Sequence, residues 1–226
     1  MQAVIFDLDG LMINSEDLSL AAWHQILLPY GKRLTDEDYS ILIGMDSQAS
    51  ASHIIRVTGV PLAWGALARE HWERLLTLID RELSPKPGLL AMVDDLVKRG
   101  YPLAVASNSP IDYVERALTA IGVRGAFDCV VGRDHVAHGK PAPDVYLAAA
   151  AGLGADPPRC LALEDSPAGM QAALAAGMRC VVVPNEHLPN ADFSGAHGRY
   201  SSLGMLRASL STLLETLPDQ HGVVLP

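Results

Sequence analysis

Short apolar runs recur along the second half of the chain, and a segment with helical spacing follows most of them. The runs at 102–106, 127–131, 160–163 and 180–183 show no alternation of apolar and polar residues. Strands of this composition are covered on both faces, which is typical of parallel sheets between layers of helices. The pattern therefore predicts an α/β fold, with a three-layer α/β/α core around a central parallel sheet.

The residues between the first apolar run and the later ones have helical periodicity without a convincing strand. Helix start signals recur along this stretch, at Ser15, at Thr35 with Asp38 three residues later, and at Pro61. A stretch rich in proline and glycine then marks a return to the main domain. We therefore predict a core formed by residues 1–14 and 84–226, with an all-helical domain inserted at 15–83.

Charge and composition limit the classes of partner and the compartment. The net charge of −9 argues against binding nucleic acid or an anionic membrane surface, because both would repel the chain. Its three cysteines are odd in number and lie in or beside strand-like stretches, which indicates buried thiols in a reducing compartment. No apolar run reaches the roughly 18 residues of a membrane span. We therefore expect a cytoplasmic protein, and we expect it to be a monomer.

Polar residues stand at the ends of several predicted strands or in strand-to-helix turns. They are Asp7 with Asp9, Ser107 with Asn108, Lys140, and Glu164 with Asp165. The carboxyl ends of parallel strands lie at one edge of a sheet, where such folds bind their ligands. Carboxylates buried there persist only when they are paired, hydrogen-bonded or bound to a metal. These residues therefore predict one functional site.

Carboxylates, a hydroxyl group and a lysine together suit magnesium-assisted phosphoryl transfer. Enzymes can accelerate phosphate monoester hydrolysis by up to ~10²¹-fold, whereas proton transfer alone contributes ~10²–10⁴. Positioning and charge stabilisation must supply the rest. Asp7 and Asp165 offer the hard oxygen ligands that Mg²⁺ prefers, and Lys140 could neutralise a phosphate oxygen. Ser109 and Ser166, each followed by proline, are predicted N-caps of helices whose exposed amides would bind phosphate.

Four motifs occur in a fixed order along the chain. They are Asp7-Leu8-Asp9-Gly10, Ser107, Lys140 with its following Pro-x-Pro-Asp, and Glu164-Asp165-Ser166. By these motifs and their order, the chain resembles the haloacid dehalogenase superfamily of phosphohydrolases, and the resemblance covers nearly its whole length. The helical insert looks like the cap of the subgroup that contains β-phosphoglucomutase and many sugar-phosphate phosphatases. The resemblance implies a Rossmann-like core.

The resemblance also implies catalytic and metal-binding roles. Asp7 would attack phosphorus and form an aspartyl-phosphate. Asp9 would protonate the leaving alcohol and then activate water, while its backbone carbonyl binds magnesium. Lys140 would bridge Asp7 and the phosphate. Asp165 would ligate the metal, and Glu164 would either ligate it or support it from behind.

Substrate contacts follow from the same resemblance. Ser107 and the neighbouring Asn108 amide would hold phosphate oxygens, and Gly10 of the first motif and Lys140 are also expected substrate-binding residues. Gly44 and Asp46 belong to a turn that looks like the cap loop facing the active site in this subgroup. We therefore include both among the expected substrate-binding residues.

Departures from the mutase pattern favour hydrolysis. Mutase-like sequences carry a histidine in the first cap helix, where this chain has Ser19, and an arginine after the glycine of the cap loop, where Met45-Asp46-Ser47 contains none. A mutase must grip a second phosphate, and these positions lack a suitable cation. We therefore predict a Mg²⁺-dependent phosphatase of a small phosphorylated metabolite: a sugar, polyol or nucleoside monophosphate. A β-phosphoglucomutase is the alternative, and a receiver-like phospho-signalling module is a distant one.

Overall fold

A computed structural model describes residues 1–42, 45, 47–186, 188 and 190–215. The chain divides into two compact units. The core unit comprises Met1–Ile13 with Ser84–Pro226, and the helical unit comprises Asn14–Leu83. The division falls one residue before the predicted start of the insert at Ser15.

The helical unit consists of α1 (Ser15–Leu27), α2 (Asp36–Leu42), α3 (Ser47–Thr58) and α4 (Trp64–Glu82). Its apolar cluster includes Trp23, Ile54 and Leu67, which lie on three of these helices. At the start of α2, Thr35 and Asp38 form a reciprocal capping box: each backbone N–H donates to the other's side chain at 3.1 Å. The sequence therefore predicted the start of α2 correctly. The start of α3 carried no such signal.

The core unit contains one sheet in the described residues, formed by β1 (Ala3–Phe6), β2 (Leu103–Ala106), β3 (Cys129–Val131), β4 (Cys160–Glu164), β5 (Arg179–Val182) and β6 (Gly198–Arg199). The strands lie in the order β3-β2-β1-β4-β5-β6, and all neighbouring pairs are parallel. The predicted parallel sheet is therefore confirmed. β1 lies at its centre, with Phe6 opposite Val105 on one side and Leu163 on the other.

Helices cover the sheet in two layers, and their bounds are α5 (Leu89–Lys98), α6 (Ile111–Ala120), α7 (Asp144–Gly152), α8 (Pro167–Ala175), α9 (Leu203–Ala208) and α10 (Leu210–Glu215). The chain winds from β1 to β3 in one direction and from β3 through β4 to β5 in the other. Right-handed connections then place α5 and α6 on one face and α7 and α8 on the opposite face. Ala3 and Ile5 of β1 share a buried cluster with Val145 of α7 and Ala172 of α8, while alternate residues of β1 point to the other face. The predicted three-layer core is confirmed.

Two parts of the core unit differ from expectation. The strand predicted at 127–131 begins only at Cys129, because the Phe127 N–H closes a 3₁₀ turn onto the Arg124 carbonyl. The elements β6, α9 and α10 were not predicted. β6 spans two residues, too few for any periodicity to be visible. Among the described residues, no helix combines the length and apolar character needed to cross a bilayer.

Candidate active site

The two central strands bring three carboxylates together. Asp7 follows β1, Glu164 ends β4 and Asp165 comes next, and the Asp7 N–H bonds the Leu163 carbonyl at 2.9 Å. The winding direction reverses between these strands, which is where open α/β sheets bind ligands. The three carboxylate groups offer oxygen atoms that all lie within 4.8 Å of one another, and the residues are 7%, 0% and 3% exposed. A buried acidic cluster therefore stands at the switch point.

Lys140 supplies a cation to this cluster. Its Nζ donates to Asp7 Oδ1 at 2.5 Å and to Glu164 Oε1 at 2.6 Å, and it lies 4.9 Å from the centre of the Tyr146 ring. Burial alone would lower the pKa of the Lys140 ammonium, but the Asp7 and Glu164 carboxylates outweigh it and raise that pKa. Lys140 is therefore held as a buried cation between two strand ends.

Glu164 is fully occupied by protein donors. Its Oε1 accepts from Lys140 and from the Tyr146 hydroxyl at 2.7 Å. Its Oε2 accepts from the Asp165 N–H at 3.0 Å and from the Ser166 N–H and hydroxyl at 3.3 and 3.2 Å. A Cβ at Gly169 would lie 1.8 Å from Oε1, so the helix α8 also closes over this group. This arrangement favours the supporting role over direct metal ligation for Glu164.

Asp165 is oriented by a residue that follows β5. The Asn185 side-chain amide donates to Asp165 Oδ2 at 2.8 Å, and its backbone N–H bonds the Asp165 carbonyl at 3.0 Å. Gly10 packs against the same atoms at φ +84°, and a Cβ there would lie 1.9 Å from Asp165 Oδ2. The Gly10 carbonyl accepts from Lys86 Nζ at 2.9 Å. The glycine of the first motif is thus required by the close approach of Asp165.

Asp9 has separate partners. The Ser109 hydroxyl donates to its Oδ2 at 2.7 Å and the Tyr113 hydroxyl to its Oδ1 at 2.8 Å. The prediction that Ser109 caps a helix is wrong, because Pro110 is the N-cap of α6 and the Ser109 side chain turns to Asp9 instead. Ser166, the other predicted N-cap, does cap α8 by accepting from the Gly169 N–H at 3.1 Å.

Ser107 and Asn108 follow β2 beside these groups. Ser107 is 1% exposed, and its hydroxyl oxygen accepts from the Ser109 N–H at 2.9 Å. The Asn108 side chain bonds the backbone of Lys140 twice: its Oδ1 accepts from the N–H at 2.7 Å, and its Nδ2 donates to the carbonyl at 3.2 Å. Asn108 thereby fixes the turn that delivers the lysine. Gly44 and Asp46, the expected cap-loop contacts, lie outside the described residues.

The donor set suits a divalent cation of the hard type. Asp7 and Asp165 offer carboxylate oxygens, which Mg²⁺ prefers. The three buried carboxylates lie within one cluster, and Lys140 is paired with two of them, Asp7 and Glu164. Burial raises the pKa of Asp7, Lys140 opposes the shift, and Glu164 adds to it. A bound divalent cation would stabilise the charged form of these clustered carboxylates, so the residues fit Mg²⁺.

Sequence reasoning missed four residues of the site, namely Lys86, Tyr113, Tyr146 and Asn185, and it assigned Ser109 a different role from the bond to Asp9. The two tyrosines are buried on helices at positions that read as apolar core, and only their hydroxyl groups reach the acids. Asn185 follows the end of β5, so the same strand-end argument that selected Glu164 could have selected it. Lys86 is one of only four lysines in the chain, and this scarcity could have marked it as a candidate site residue.

Comparisons with known proteins agree with the fold and the motifs. YqaB, a fructose-1-phosphate phosphatase of Escherichia coli strain K12, is 36% identical over 183 residues, covering 80% of this chain and 95% of that protein. Hexitol phosphatase B of Escherichia coli O157:H7 is 33% identical over 220 residues, covering 91% of this chain and 94% of that protein. The crystal structure of CbbY from Rhodobacter sphaeroides in complex with phosphate has a TM-score of 0.79 at 30% identity, covering 91% and 96% of the two chains.

The family model for haloacid dehalogenase-like hydrolases matches residues 4–183, which span β1, the helical unit and the strands up to β5. The four ordered motifs fall within this range, and the residues that carry them converge at the edge of the sheet. The predicted family membership is confirmed. This chain belongs to the haloacid dehalogenase-like hydrolases.

Proposed function

We propose that this chain is a Mg²⁺-dependent phosphatase that hydrolyses a small phosphorylated metabolite through an aspartyl-phosphate on Asp7. One observation carries the proposal: the ammonium of Lys140 lies between Asp7 and Glu164, with Asp165 in the same cluster. A carboxylate held this way is oriented for attack and faces a concentration of charge suited to a phosphoryl group.

The first half of the reaction forms one bond to phosphorus and breaks another. A carboxylate oxygen of Asp7 attacks phosphorus, and the bond between phosphorus and the alcohol oxygen breaks. Asp9 gives its proton to that oxygen, so the product leaves as a neutral alcohol. Lys140 and the Ser107 hydroxyl hold phosphate oxygens during the transfer, and Asn108 fixes the backbone of Lys140.

The second half restores the enzyme. Asp9 takes a proton from water, the water oxygen attacks phosphorus, and the bond between phosphorus and Asp7 breaks to release inorganic phosphate. Bound Mg²⁺ would neutralise charge on the phosphoryl group. Asp7, Asp165 and the Asp9 backbone carbonyl would hold it, while Asn185 and Glu164 orient that set.

The substrate class is a sugar, polyol or nucleoside monophosphate. The names of the two bacterial relatives, a fructose-1-phosphate phosphatase and a hexitol phosphatase, support the first two of these. We further propose that the helical unit acts as the cap that selects among them. In its first helix, Ser19 takes the position of the mutase histidine, and its Oγ lies 3.1 Å from Nε2 of His71. This arrangement favours hydrolysis over phosphate transfer between two positions of a sugar.

The test is turnover of p-nitrophenyl phosphate with Mg²⁺, followed by a screen of phosphorylated sugars, polyols and nucleosides. We expect repeated turnover, loss of activity in EDTA and recovery when Mg²⁺ is added back. A single stoichiometric phosphorylation would instead indicate a receiver-like module, and metal-independent turnover would contradict the proposed metal role. Activity that requires glucose 1,6-bisphosphate would identify a mutase.

A further inference from the structure

Two hydroxyl groups hold the carboxylate of Asp9, and neither belongs to the motifs that mark the site. We propose that Ser109 and Tyr113 are positioning residues for Asp9, setting the orientation from which it exchanges protons with the substrate oxygen and with water. The inference rests on the proposed phosphatase function. It adds to that function the residues that aim the proton-transferring group.

The geometry fixes the carboxylate at both oxygens. Ser109 donates to Oδ2 at 2.7 Å and Tyr113 to Oδ1 at 2.8 Å, so rotation of the carboxylate plane would break at least one bond. The two donors come from different places, one in the turn before α6 and the other inside that helix. A pair of bonds from separated anchors defines both the direction and the tilt of the group.

Both anchors are themselves rigid. Tyr113 is 3% exposed on the buried side of α6. The backbone of Ser109 is held at both ends, since its N–H donates to Ser107 Oγ at 2.9 Å and its carbonyl accepts from the Arg133 N–H at 2.9 Å. A side chain locked by such contacts holds its partner within the narrow range of geometry that proton transfer requires.

The chemistry of the two anchors suits a group that gives and takes protons. Asp7 is held by the charged Lys140, whereas the hydroxyl groups of Ser109 and Tyr113, which donate to Asp9, are neutral. A hydroxyl group can accept a hydrogen bond as well as donate one. The contacts can therefore persist in both halves of the reaction, which a fixed cation could not provide.

The experiment is rapid-mixing kinetics of Tyr113→Phe and Ser109→Ala with p-nitrophenyl phosphate and Mg²⁺. p-Nitrophenolate leaves as a stable anion and needs no proton, so the first turnover should keep its wild-type rate. Hydrolysis of the aspartyl-phosphate needs Asp9 as a base, so the steady-state rate should fall about tenfold or more, within the ~10²–10⁴ that such catalysis supplies. We therefore expect each variant to show a burst of p-nitrophenolate followed by slow turnover.

Two controls keep the test decisive. Ser109→Thr retains a hydroxyl group and should restore the steady-state rate, and Tyr101→Phe removes a tyrosine hydroxyl elsewhere in the core unit and should change neither phase. An equal fall in burst and steady-state rates would indicate a merely structural role and overturn the proposal, as would unchanged or faster turnover in both variants. If Tyr113→Phe fails to fold, the comparison of Ser109→Ala with Ser109→Thr decides alone. Absence of turnover in the wild type would refute the phosphatase function itself, and this inference with it.

Discussion

The core unit and the helical unit both bury polar side chains, but the core unit buries charged groups, whereas the helical unit partly buries a histidine that stays neutral. In the core unit, the ammonium of Lys140 pairs with the buried carboxylates of Asp7 and Glu164, and the buried Asp165 lies in the same acidic cluster. In the helical unit, the partly buried His71 stacks on Trp23 with ring centres 3.7 Å apart, and its Nε2 lies within 3.2 Å of two oxygens of Ser19.

The consequence appears in the protonation of these groups. Burial lowers the pKa of His71 to about 4, against the opposing effect of the Ser19 carbonyl, which accepts a hydrogen bond from the ring, so the ring is neutral at physiological pH. The core unit instead retains a buried cation, because carboxylates raise the pKa of Lys140. Buried charge is expensive and persists at a site that uses it, whereas a buried neutral ring is compatible with packing alone.

The largest effect is expected at Asp7. Asp7→Asn should reduce turnover of p-nitrophenyl phosphate to background, because a carboxamide cannot form the acyl phosphate. The fold should remain, since Lys140 keeps its bond to Glu164. Activity and thermal unfolding of the same preparation measure the two effects. Asp94→Asn, at an exposed acid of α5 paired with Lys98, is the matched control and should be as active as the wild type. Substantial hydrolysis by folded Asp7→Asn would contradict the assignment of Asp7 as the nucleophile. The buried charge of the core unit would then no longer be explained by a catalytic role.

The strand-end residues of the core unit could be predicted because a parallel sheet converts sequence order into position. Each strand brings its last residue, or the residue after it, to one edge of the sheet, so Asp7, Ser107 and Glu164 could be predicted as site residues without knowledge of packing. The bonds of Tyr113 and Tyr146 were not, because the reach of a hydroxyl depends on how a helix is rotated against the sheet. The contact between Asn108 and the Lys140 backbone joins residues 32 positions apart, and no local pattern encodes it.

Less of the helical unit could be predicted from the sequence, because its helices were predictable but their packing was not. Its class followed from periodicity, and the α2 cap followed from the spacing of Thr35 and Asp38. The stacking of His71 on Trp23 depends on which faces of α1 and α4 meet, and helical spacing alone leaves several candidate pairs. The environment of a histidine is therefore known only once the helices are packed, although the class of the unit is known earlier.

The second prediction tests the neutral histidine. Unfolded histidine has a pKa of about 6.5, whereas folded His71 has one of about 4, so between these values the unfolded state binds more protons and stability falls as the pH is lowered. Between pH 6.5 and 4 this term should remove roughly 2–3 kcal/mol from the stability of the helical unit. His71→Phe can retain stacking on Trp23, does not titrate, and should lack this term.

Urea unfolding followed by tryptophan fluorescence measures it, because the three tryptophans of the chain, Trp23, Trp64 and Trp72, all lie in the helical unit. His135→Gln, at an exposed histidine of the core unit, should leave the pH dependence as in the wild type. If the stability of His71→Phe depended on pH as that of the wild type does, the pKa of His71 would be the same in the folded and unfolded states. The folded ring would then be charged below about pH 6.5. The helical unit would then hold a partly buried charge of its own.

The third prediction concerns the orientation of Asp165. Asn185→Ala removes the donor to Asp165 Oδ2 and should weaken Mg²⁺ binding by about 10–100-fold, the usual effect of losing a group that orients a metal ligand. Isothermal titration with Mg²⁺ measures this without any substrate. Asn190→Ala, at an exposed turn residue of the same loop, should bind Mg²⁺ like the wild type. Equal affinity in both variants would mean that Asp165 needs no such support.

The smallest effect is expected on the solvent side of the helical unit. Arg74 donates to Glu70 one turn earlier on α4 at 2.8 Å, and the two side chains are 38% and 42% exposed. Pairs of this kind contribute only about 0.2–0.5 kcal/mol, so Arg74→Ala should barely change urea unfolding, and Glu70→Ala should match it. If Arg74 instead held a second anionic group of the substrate, Arg74→Ala alone would raise KM for a bisphosphate while leaving KM for a monophosphate unchanged. That split would give the helical unit a functional charge. We expect Arg74→Ala and Glu70→Ala to have equal KM values for the bisphosphate, because an arginine paired with a neighbouring glutamate attracts an anionic ligand only weakly. Binding of the charged groups of the substrate would then be a property of the core unit.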